Sequence, residues 1–403
     1  MAKKEETTSA TSETKRTSKY DWVDTASTTH QLFTDPFSPQ HIRKTWMILA
    51  AVTVVAVLFG WYFIATSPKP APRRIPPVLD SGITSKLFSE SGTLSLPFED
   101  ALARTTDHYG HFYIADQTGL TCFDISGSVV KKWSYDELIL PAGDSQESAS
   151  FAGPMTAICF VPKSEGPASL ADRLLVAQGA KVYVLKVNEE DNNLYPLPVD
   201  LPDDAVVSSL CVNSKYVFLA DWKNANIKRF NPDEPSEAFT LGLPDEGTGF
   251  PGFRLSATPH FDIGISESDH LLYALNPGLF QIAVFSPETG QWMKERSWDR
   301  RPWATGGFSG LCNPLGLALL SDGYLIASEE SKTPTVRLFT LSGQESQKLL
   351  TPPSDMAPYE SAVLWQPLSV NENTFLLIGP EGKVSVYVRR ANPVEPADSE
   401  VRP

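Results

Sequence analysis

Cysteine and histidine are both scarce in this 403-residue chain, which has four of the first and six of the second. The cysteines are widely spaced, with no Cys-x-x-Cys pair and no histidine-linked zinc pattern, so neither a zinc module nor a disulfide-rich scaffold is indicated. We expect the four to be small buried core residues that do not fix the redox compartment. They are Cys122, Cys159, Cys211 and Cys312.

Common catalytic and cofactor motifs are also missing. The sequence has no Gly-rich phosphate loop, no Gly-x-Ser-x-Gly elbow, no His-Glu-x-x-His and no EF-hand loop. The histidines form no motif either, and we interpret His108, His111 and His260 as ordinary surface or core residues. Motifs alone therefore predict no catalytic residue and no cofactor.

Positively charged residues are also fewer than negatively charged ones, and the formal net charge is −14. Residues 1–44 carry seven Lys or Arg against six Asp or Glu, which leaves the remainder of the chain at −15. An acidic domain repels phosphate backbones, so we do not expect nucleic acid as a partner.

One long apolar run is present. Residues 46–65, WMILAAVTVVAVLFGWYFIA, contain no charged side chain. A helix of this length spans about 30 Å, the thickness of the hydrocarbon core of a bilayer. We predict a single transmembrane helix, with Trp46 at one end and Trp61 and Tyr62 near the other as interfacial anchors. The preceding segment is too long for a signal peptide, so the helix is expected to remain as an anchor.

The segments that flank this run differ in composition. Residues 1–45 are predicted to be a flexible tail, which we place in the cytoplasm because of its basic residues, with the domain that follows the helix on the periplasmic or extracellular side. Residues 66–90 are predicted to be a Pro-rich linker, because 67–80 hold five prolines. The aromatic part of the tail is either a loose juxtamembrane segment or an extended peptide along a membrane partner. Its candidate contact residues are Tyr20, Trp22, Phe33 and Phe37.

Beyond the linker, one short apolar pattern occurs six times. Five of the six runs carry alanine at the same place, and a second strand ending in a large apolar residue follows each run after a turn. Another short apolar strand precedes most of them. The runs are HFYIAD (111–116), RLLVAQ (173–178), YVFLAD (216–221), LLYALN (271–276), YLIASE (324–329) and TFLLIG (374–379).

Three to four antiparallel strands in each period of roughly fifty residues are typical of propeller blades. Sheets stacked radially cover each other's faces, and small alanines suit the crowding near the axis. We therefore predict an all-β, six-bladed β-propeller over residues 91–390 with an N-terminal single transmembrane α-helix and a disordered tail at 391–403. A β-sandwich or two unrelated β-domains is the alternative.

The predicted ring needs a closing strand, because the acidic, Pro-rich C-terminus is poorly suited to pair with the last blade. SGTLSLP (91–97) alternates small polar residues with Leu94 and Leu96. We predict that it forms the outer strand of the sixth blade.

The repeats resemble six-bladed propellers of the NHL and strictosidine-synthase or gluconolactonase type. NPLGLALLSDGYLIASEESKTPTVRLFTLSGQ (313–344) carries the fullest pattern, and HFYIADQTGLTCFDISG and KYVFLADWKNANIKRFNPD match its middle, including Asp116 and Asp221. The resemblance covers about residues 95–390, although the blades at 173 and 374 lack the Asp. It implies a fold and says little about function.

The six-bladed lactonases and related hydrolases that the repeats resemble bind a divalent cation on the axis of the propeller. The resemblance therefore implies an alternative function, a metal-dependent lactonase or esterase with Ca²⁺ as its cofactor. Glu99, Asp262 and Asn313 are the matching candidate ligands. Blades two and three offer no carboxylate at the corresponding places, so the ligand set is incomplete.

A protein-binding scaffold or accessory subunit of a membrane complex is the function we favour. The segment SWDRRPWATGGFSG (297–310) combines tryptophan and arginine with glycine, and we predict Trp298, Arg301 and Trp303 as partner contacts, alongside Trp222 and Phe308. The alternative is that half or more of these aromatics pack under the blades. The expected partner is an integral membrane protein or complex, and the sequence does not indicate the homo-oligomeric state.

Overall fold

The structure is a computed structural model that describes residues 87–107, 109–141, 149–151, 153–190, 192–350, 359 and 361–390, together with Met47, Ala50 and Thr53. These last three residues have helical backbone conformation. None of the helices formed by the described residues has the length and apolar character needed to cross a bilayer. The rest of 46–65 lies outside the described residues, so the membrane span stays a prediction.

Strands dominate the described part of the chain after residue 86, and six sheets contain four strands each. The first strand, β1, is Phe88–Ser95, and it joins the sixth sheet. Blade 1 contains β2 (Ala103–Thr106), β3 (His111–Ala115), β4 (Gly119–Asp124) and β5 (Val129–Ser134). After a two-stranded sheet of β6 (Ile139–Leu140) and β7 (Ala149–Ser150), blade 2 contains β8 (Ala157–Val161), β9 (Arg173–Gln178), β10 (Lys181–Leu185) and β11 (Leu194–Pro196).

The second half of the ring repeats the plan. Blade 3 contains β12 (Val207–Val212), β13 (Val217–Asp221), β14 (Asn226–Phe230) and β15 (Phe239–Leu241), and blade 4 contains β16 (Ile263–Ile265), β17 (Leu272–Asn276), β18 (Gln281–Phe285) and β19 (Trp298–Asp299). Blade 5 contains β20 (Gly316–Leu320), β21 (Tyr324–Glu329), β22 (Thr335–Thr340) and β23 (Glu345–Leu350), and blade 6 contains β24 (Gln366–Asn371), β25 (Thr374–Ile378), β26 (Lys383–Arg389) and β1. Among the described residues, four short 3-10 helices lie in connections at Tyr135–Glu137, Ala168–Leu170, Pro235–Glu237 and Pro277–Leu279.

The first strands of the blades form a closed circle. Strand β2 contacts β8, which contacts β12, and the series continues through β16, β20 and β24 back to β2. Every blade thus has two neighbours, which confirms the predicted six-bladed propeller. Blades 1 and 4 lie opposite each other in this circle.

The hydrophobic core is divided into six clusters, one between each pair of neighbouring blades. Alternate residues of one strand serve two clusters: in β9, Leu174 and Val176 pack toward blade 1, and Leu175 and Ala177 toward blade 3. Because both faces of each sheet are covered, the second strands read as continuous apolar runs. The six runs found in the sequence are these second strands.

Two expectations need correction. The repeated alanines are fully buried in the second strands, within the clusters between blades, and do not line the axis; they are Ala115, Ala177, Ala220, Ala274 and Ala327. Small side chains there allow close approach of neighbouring sheets. In addition, Cys122 and Cys159 are buried as predicted, but Cys211 and Cys312 are only half-buried, and all four are free thiols.

The ring is closed by pairing between the two ends of the propeller. Strand β1 runs antiparallel to β26 from Phe88 opposite Arg389 to Ser95 opposite Lys383, with an irregularity between Glu90 and Gly92. This confirms the predicted closing strand, although β1 begins at Phe88, inside the predicted 66–90 linker. The ring of Phe88 is buried against Phe375, with centroids 5.0 Å apart.

The connections between strands lie on the two faces of the ring. Since neighbouring strands are antiparallel, the segments between blades lie on the same face as the turns that join second to third strands. We call this the loop face. In blade 1, for example, the Tyr135 hydroxyl after β5 donates to the Asp116 carbonyl after β3 (2.5 Å). Strand β1 starts at the opposite face, so the chain enters the propeller away from the loop face.

Deleting residues 81–97 should lower the thermal stability of the full chain much more than deleting 391–403. The first deletion removes β1 and exposes the unpaired backbone groups of β26, which cannot regain their partners. Melting curves followed by circular dichroism decide between the two deletions. Equal losses would show that the ends are not held by this pairing.

Candidate functional site

A cavity of about 490 Å³ lies on the axis of the ring. Its walls come from the first strands of all six blades and are mostly apolar, with Ile158, Leu210 and Leu319 among them. Gln117, Pro154 and His260 also line it, and these belong to connections on the loop face. The cavity therefore extends from the loop face into the ring.

An ion pair crosses this cavity between opposite blades. The Arg104 Nη2 of β2 lies 2.8 Å from the Asp262 Oδ2 just before β16, and their side chains are 12% and 14% exposed. Arg104 also donates from Nε to the Pro367 carbonyl (3.0 Å) and from Nη1 to the Gln366 Oε1 (2.6 Å). The Leu317 amide donates to the same Asp262 oxygen (3.1 Å). This ion pair connects blades 1, 4, 5 and 6.

Two further types of titratable group line the cavity. Burial lowers the pKa of His260 below its ordinary value, although Asp262 opposes this shift. Burial raises the pKa of the Cys159 thiol to about 12, and that of Cys211 well above its usual value. At neutral pH the imidazole and both thiols are uncharged, so the charges of the cavity are those of Arg104 and Asp262.

The three candidate metal ligands are placed differently from one another. Asp262 lines the cavity, whereas Glu99 is exposed beyond β1 and neither it nor Asn313 belongs to the cavity lining. Asn313 is buried and binds the backbone of Ser309 and Glu330, joining two segments of the loop face. Among the described residues, no group of three or more His, Cys, Asp or Glu side chains is arranged to hold a metal ion.

A second group of charged residues fixes the connection between blades 4 and 5. We call residues 300–312 of this connection the Trp303 loop. The guanidinium of Arg337 in β22 is almost fully buried and lies 2.5 Å from Glu329 Oε1 of β21. Arg337 also donates to the carbonyls of Gly306 (2.8 Å) and Gly307 (3.1 Å), and Glu329 accepts from the Ser309 amide. A buried ion pair thus holds the backbone of a surface loop.

Close approach of this backbone requires glycine. A Cβ on Gly307 would lie 2.0 Å from the Arg301 carbonyl oxygen, closer than atoms can pack. Arg300 adds bonds from its guanidinium to the Gly343 and Gly306 carbonyls.

The predicted partner contacts differ in their exposure to solvent. Trp303 is 77% exposed and Leu311 is 86% exposed, and the Arg301 guanidinium lies 5.7 Å from the centre of the Trp303 indole. Trp298 is half-buried: it packs on Phe339 and donates from Nε1 to the Leu341 carbonyl (3.1 Å). Trp298 is therefore mainly a packing residue.

The other predicted aromatics fall into two groups. Phe308 is fully buried and Trp222 is half-buried with its indole N–H bound to the Ser256 carbonyl, so packing under the blades accounts for both. The remainder lie outside the described residues and stay predictions: Tyr20, Trp22, Phe33, Phe37, Trp46, Trp61 and Tyr62.

Sequence reasoning missed Arg104, Arg337, Glu329 and Leu311. A charged residue in a short and otherwise mostly apolar strand is a weak signal that could have identified Arg337 and Glu329, because such a charge needs a partner. Arg104 gives no such signal, because its strand, ARTT, is not apolar. Arg104 and Asp262 are separated by 158 residues, so their pairing leaves no local pattern.

Replacing Arg337 by Met should destabilise the protein by about 3–5 kcal/mol, since Glu329 is left buried without its partner. The double replacement of Arg337 by Met and Glu329 by Leu should cost less, because no unpaired charge remains. Both variants should increase amide hydrogen exchange in the Trp303 loop. Arg296→Gln, which breaks a more exposed pair with Asp269, is the control and should cost at most about 1 kcal/mol. Equal unfolding free energies in urea for the wild type and the Arg337 variant would contradict this role.

His260 should make the protein less stable in mild acid. Its pKa is lower in the folded than in the unfolded chain, so the unfolded chain binds more protons. The contribution of His260 to the free energy of unfolding therefore falls as the pH drops below about 6.5. We expect the free energy of unfolding to fall more steeply for the wild type than for His260→Asn, by at most about 1.4 kcal/mol per pH unit. Urea titrations from about pH 7.5 to 5.5 measure this difference. His270→Asn, at an exposed histidine, should keep the wild-type slope.

Known proteins resemble this chain in structure but do not match it in sequence. No family model and no curated protein matches the sequence. Among solved structures, the chain is similar to virginiamycin B lyase from Staphylococcus aureus, with 13% identity and a TM-score of 0.45, covering 75% of this chain and all of that one. A catalytically inactive variant of that lyase, solved with quinupristin, gives 14% identity and a TM-score of 0.44 with the same coverage. At this level of similarity, the neighbours carry no argument about activity.

Proposed function

We propose that this protein is a single-pass membrane protein whose propeller is a scaffold or accessory subunit that binds an integral membrane protein or complex. The Trp303 loop is the proposed contact surface. Residues 46–65 are then the anchor, the tail lies in the cytoplasm and the propeller lies on the periplasmic or extracellular side.

The observation that carries the proposal is the exposure of two large apolar side chains on a rigidly held loop. Trp303 and Leu311 are both more than three-quarters exposed. Tryptophan and arginine are both enriched at the energetic centres of protein interfaces. Ordering a loop upon binding costs free energy, and the Arg337–Glu329 pair reduces that cost because the loop backbone is already fixed.

The Trp303 loop lies on the loop face of the propeller, whereas β1, the first strand of the propeller, starts at the opposite face. In this proposal, the Pro-rich linker acts as a spacer. The aromatic tail, with Tyr20, Trp22, Phe33 and Phe37, would give the partner a second contact on the other side of the bilayer.

Replacing Trp303 and Leu311 by alanine should reduce recovery of the membrane partner at least about thirtyfold, the effect of losing about 2 kcal/mol at an interface hot spot. The full chain is purified from its native membrane in mild detergent, and the proteins that co-elute in fixed ratio are quantified by mass spectrometry. The replacement of Tyr109 and Val130 by alanine is a matched control, since both are exposed but lie away from the Trp303 loop.

The control should recover the same partner as the wild type. Unchanged recovery by the Trp303 variant, with an unchanged melting temperature, would contradict the proposed surface. Equal loss in both variants would indicate that exposed apolar residues act without specificity.

A further inference from the structure

The axial cavity has properties that the proposed docking function does not use. Its volume of about 490 Å³ falls in the range of small-molecule pockets, about 300–1,000 Å³. Apolar side chains form most of its wall, and a few polar groups converge at the Arg104–Asp262 pair. This combination of apolar walls and a few oriented polar groups is typical of ligand sites.

The charge of the cavity is balanced. The guanidinium of Arg104 is compensated by the carboxylate of Asp262 at 2.8 Å, and the remaining ionisable groups of the wall are uncharged at neutral pH. An ionic ligand would lose its hydration without gaining a counter-charge, which is costly in a site of low polarity. A ligand without net charge avoids that cost.

Arg104 and Asp262 each have hydrogen-bonding groups that bind no described residue. The guanidinium has five N–H groups, and its hydrogen bonds to described residues use three of them. Both described bonds to the carboxylate of Asp262 end on Oδ2, which leaves Oδ1 as an acceptor. A donor and an acceptor are therefore offered side by side.

We propose that the cavity is a binding site for a small uncharged molecule with an apolar body and an amide group. The amide carbonyl accepts a hydrogen bond from Arg104, and the amide N–H donates to Asp262 Oδ1. The apolar body lies against the side chains of Ile158, Leu210 and Leu319. This site is separate from the Trp303 loop and does not depend on the proposed docking function.

Three probes with equal numbers of non-hydrogen atoms test the chemical class. They are N-butylacetamide, which is neutral, hexanoate, which is anionic, and heptylammonium, which is cationic. Ligand-observed NMR on the full chain in detergent micelles, with empty micelles as reference, gives their dissociation constants. N-butylacetamide should bind the wild type at least about tenfold more tightly than either ion, since one uncompensated charge costs more than 1.4 kcal/mol in such a site.

Charge replacements locate the binding. Asp262→Asn leaves Arg104 uncompensated, so the preference should change to hexanoate, and Arg104→Gln leaves Asp262 uncompensated, so the preference should change to heptylammonium. Arg296→Gln removes the same charge from a pair outside the cavity lining and should leave the wild-type order unchanged. Melting curves show which variants are folded. One folded cavity variant is enough to test the location of binding, because the two variants are expected to favour ions of opposite charge.

Tightest binding of an ion by the wild type would overturn the proposal. So would an order of affinities that stays the same in a folded Asp262 or Arg104 variant, since binding would then lie elsewhere. Failure of N-butylacetamide to bind the wild type at millimolar concentration would also overturn it.

Discussion

Antiparallel pairing between β1 and β26 is the constraint on which the rest of the propeller depends. Every other blade takes its strands from one continuous stretch of chain, whereas blade 6 needs a strand from the start of the domain. Phe88 contributes to the cluster between blades 5 and 6, and Leu96, just after β1, to the cluster between blades 6 and 1. Pairing of the two ends therefore supports two of the six core clusters as well as a backbone ladder.

Closure of the ring has consequences on the axis and at the surface. It brings the first strands of blades 1 and 4 to opposite sides of one cavity, where Arg104 reaches Asp262. At the surface, the Trp303 loop is a long connection on the loop face, and blade 5, which follows it, fixes its backbone. The buried Arg337–Glu329 pair provides this support from β22 and β21.

The two ion pairs illustrate different uses of buried charge. Replacing a buried pair by well-packed apolar residues often costs little stability, so neither pair is explained by stability alone. Arg337 and Glu329 place their remaining hydrogen bonds on the Trp303 loop and fix its backbone. Arg104 and Asp262 instead keep polar groups in an apolar cavity, and this is the property on which the proposed ligand site rests.

Much of the fold could be predicted from the sequence because its determinants are local. The six apolar runs, the turns after them and the alternation in 91–97 each depend on neighbouring residues, so they predicted the blades and the closing strand correctly. The composition of 46–65 likewise predicts a membrane span from hydrophobic length alone.

Contacts between distant residues were decided only by the tertiary structure. Trp298 and Trp303 belong to one short segment, yet blade 5 covers the first, where its indole packs on Phe339, and leaves the second exposed. The pairing of Arg104 with Asp262 follows from the position of two opposite blades in a closed ring, and a sequence pattern cannot express that geometry. The sequence by itself therefore determined the repeating strands, whereas packing of the blades decided which polar and aromatic side chains line the cavity or face solvent.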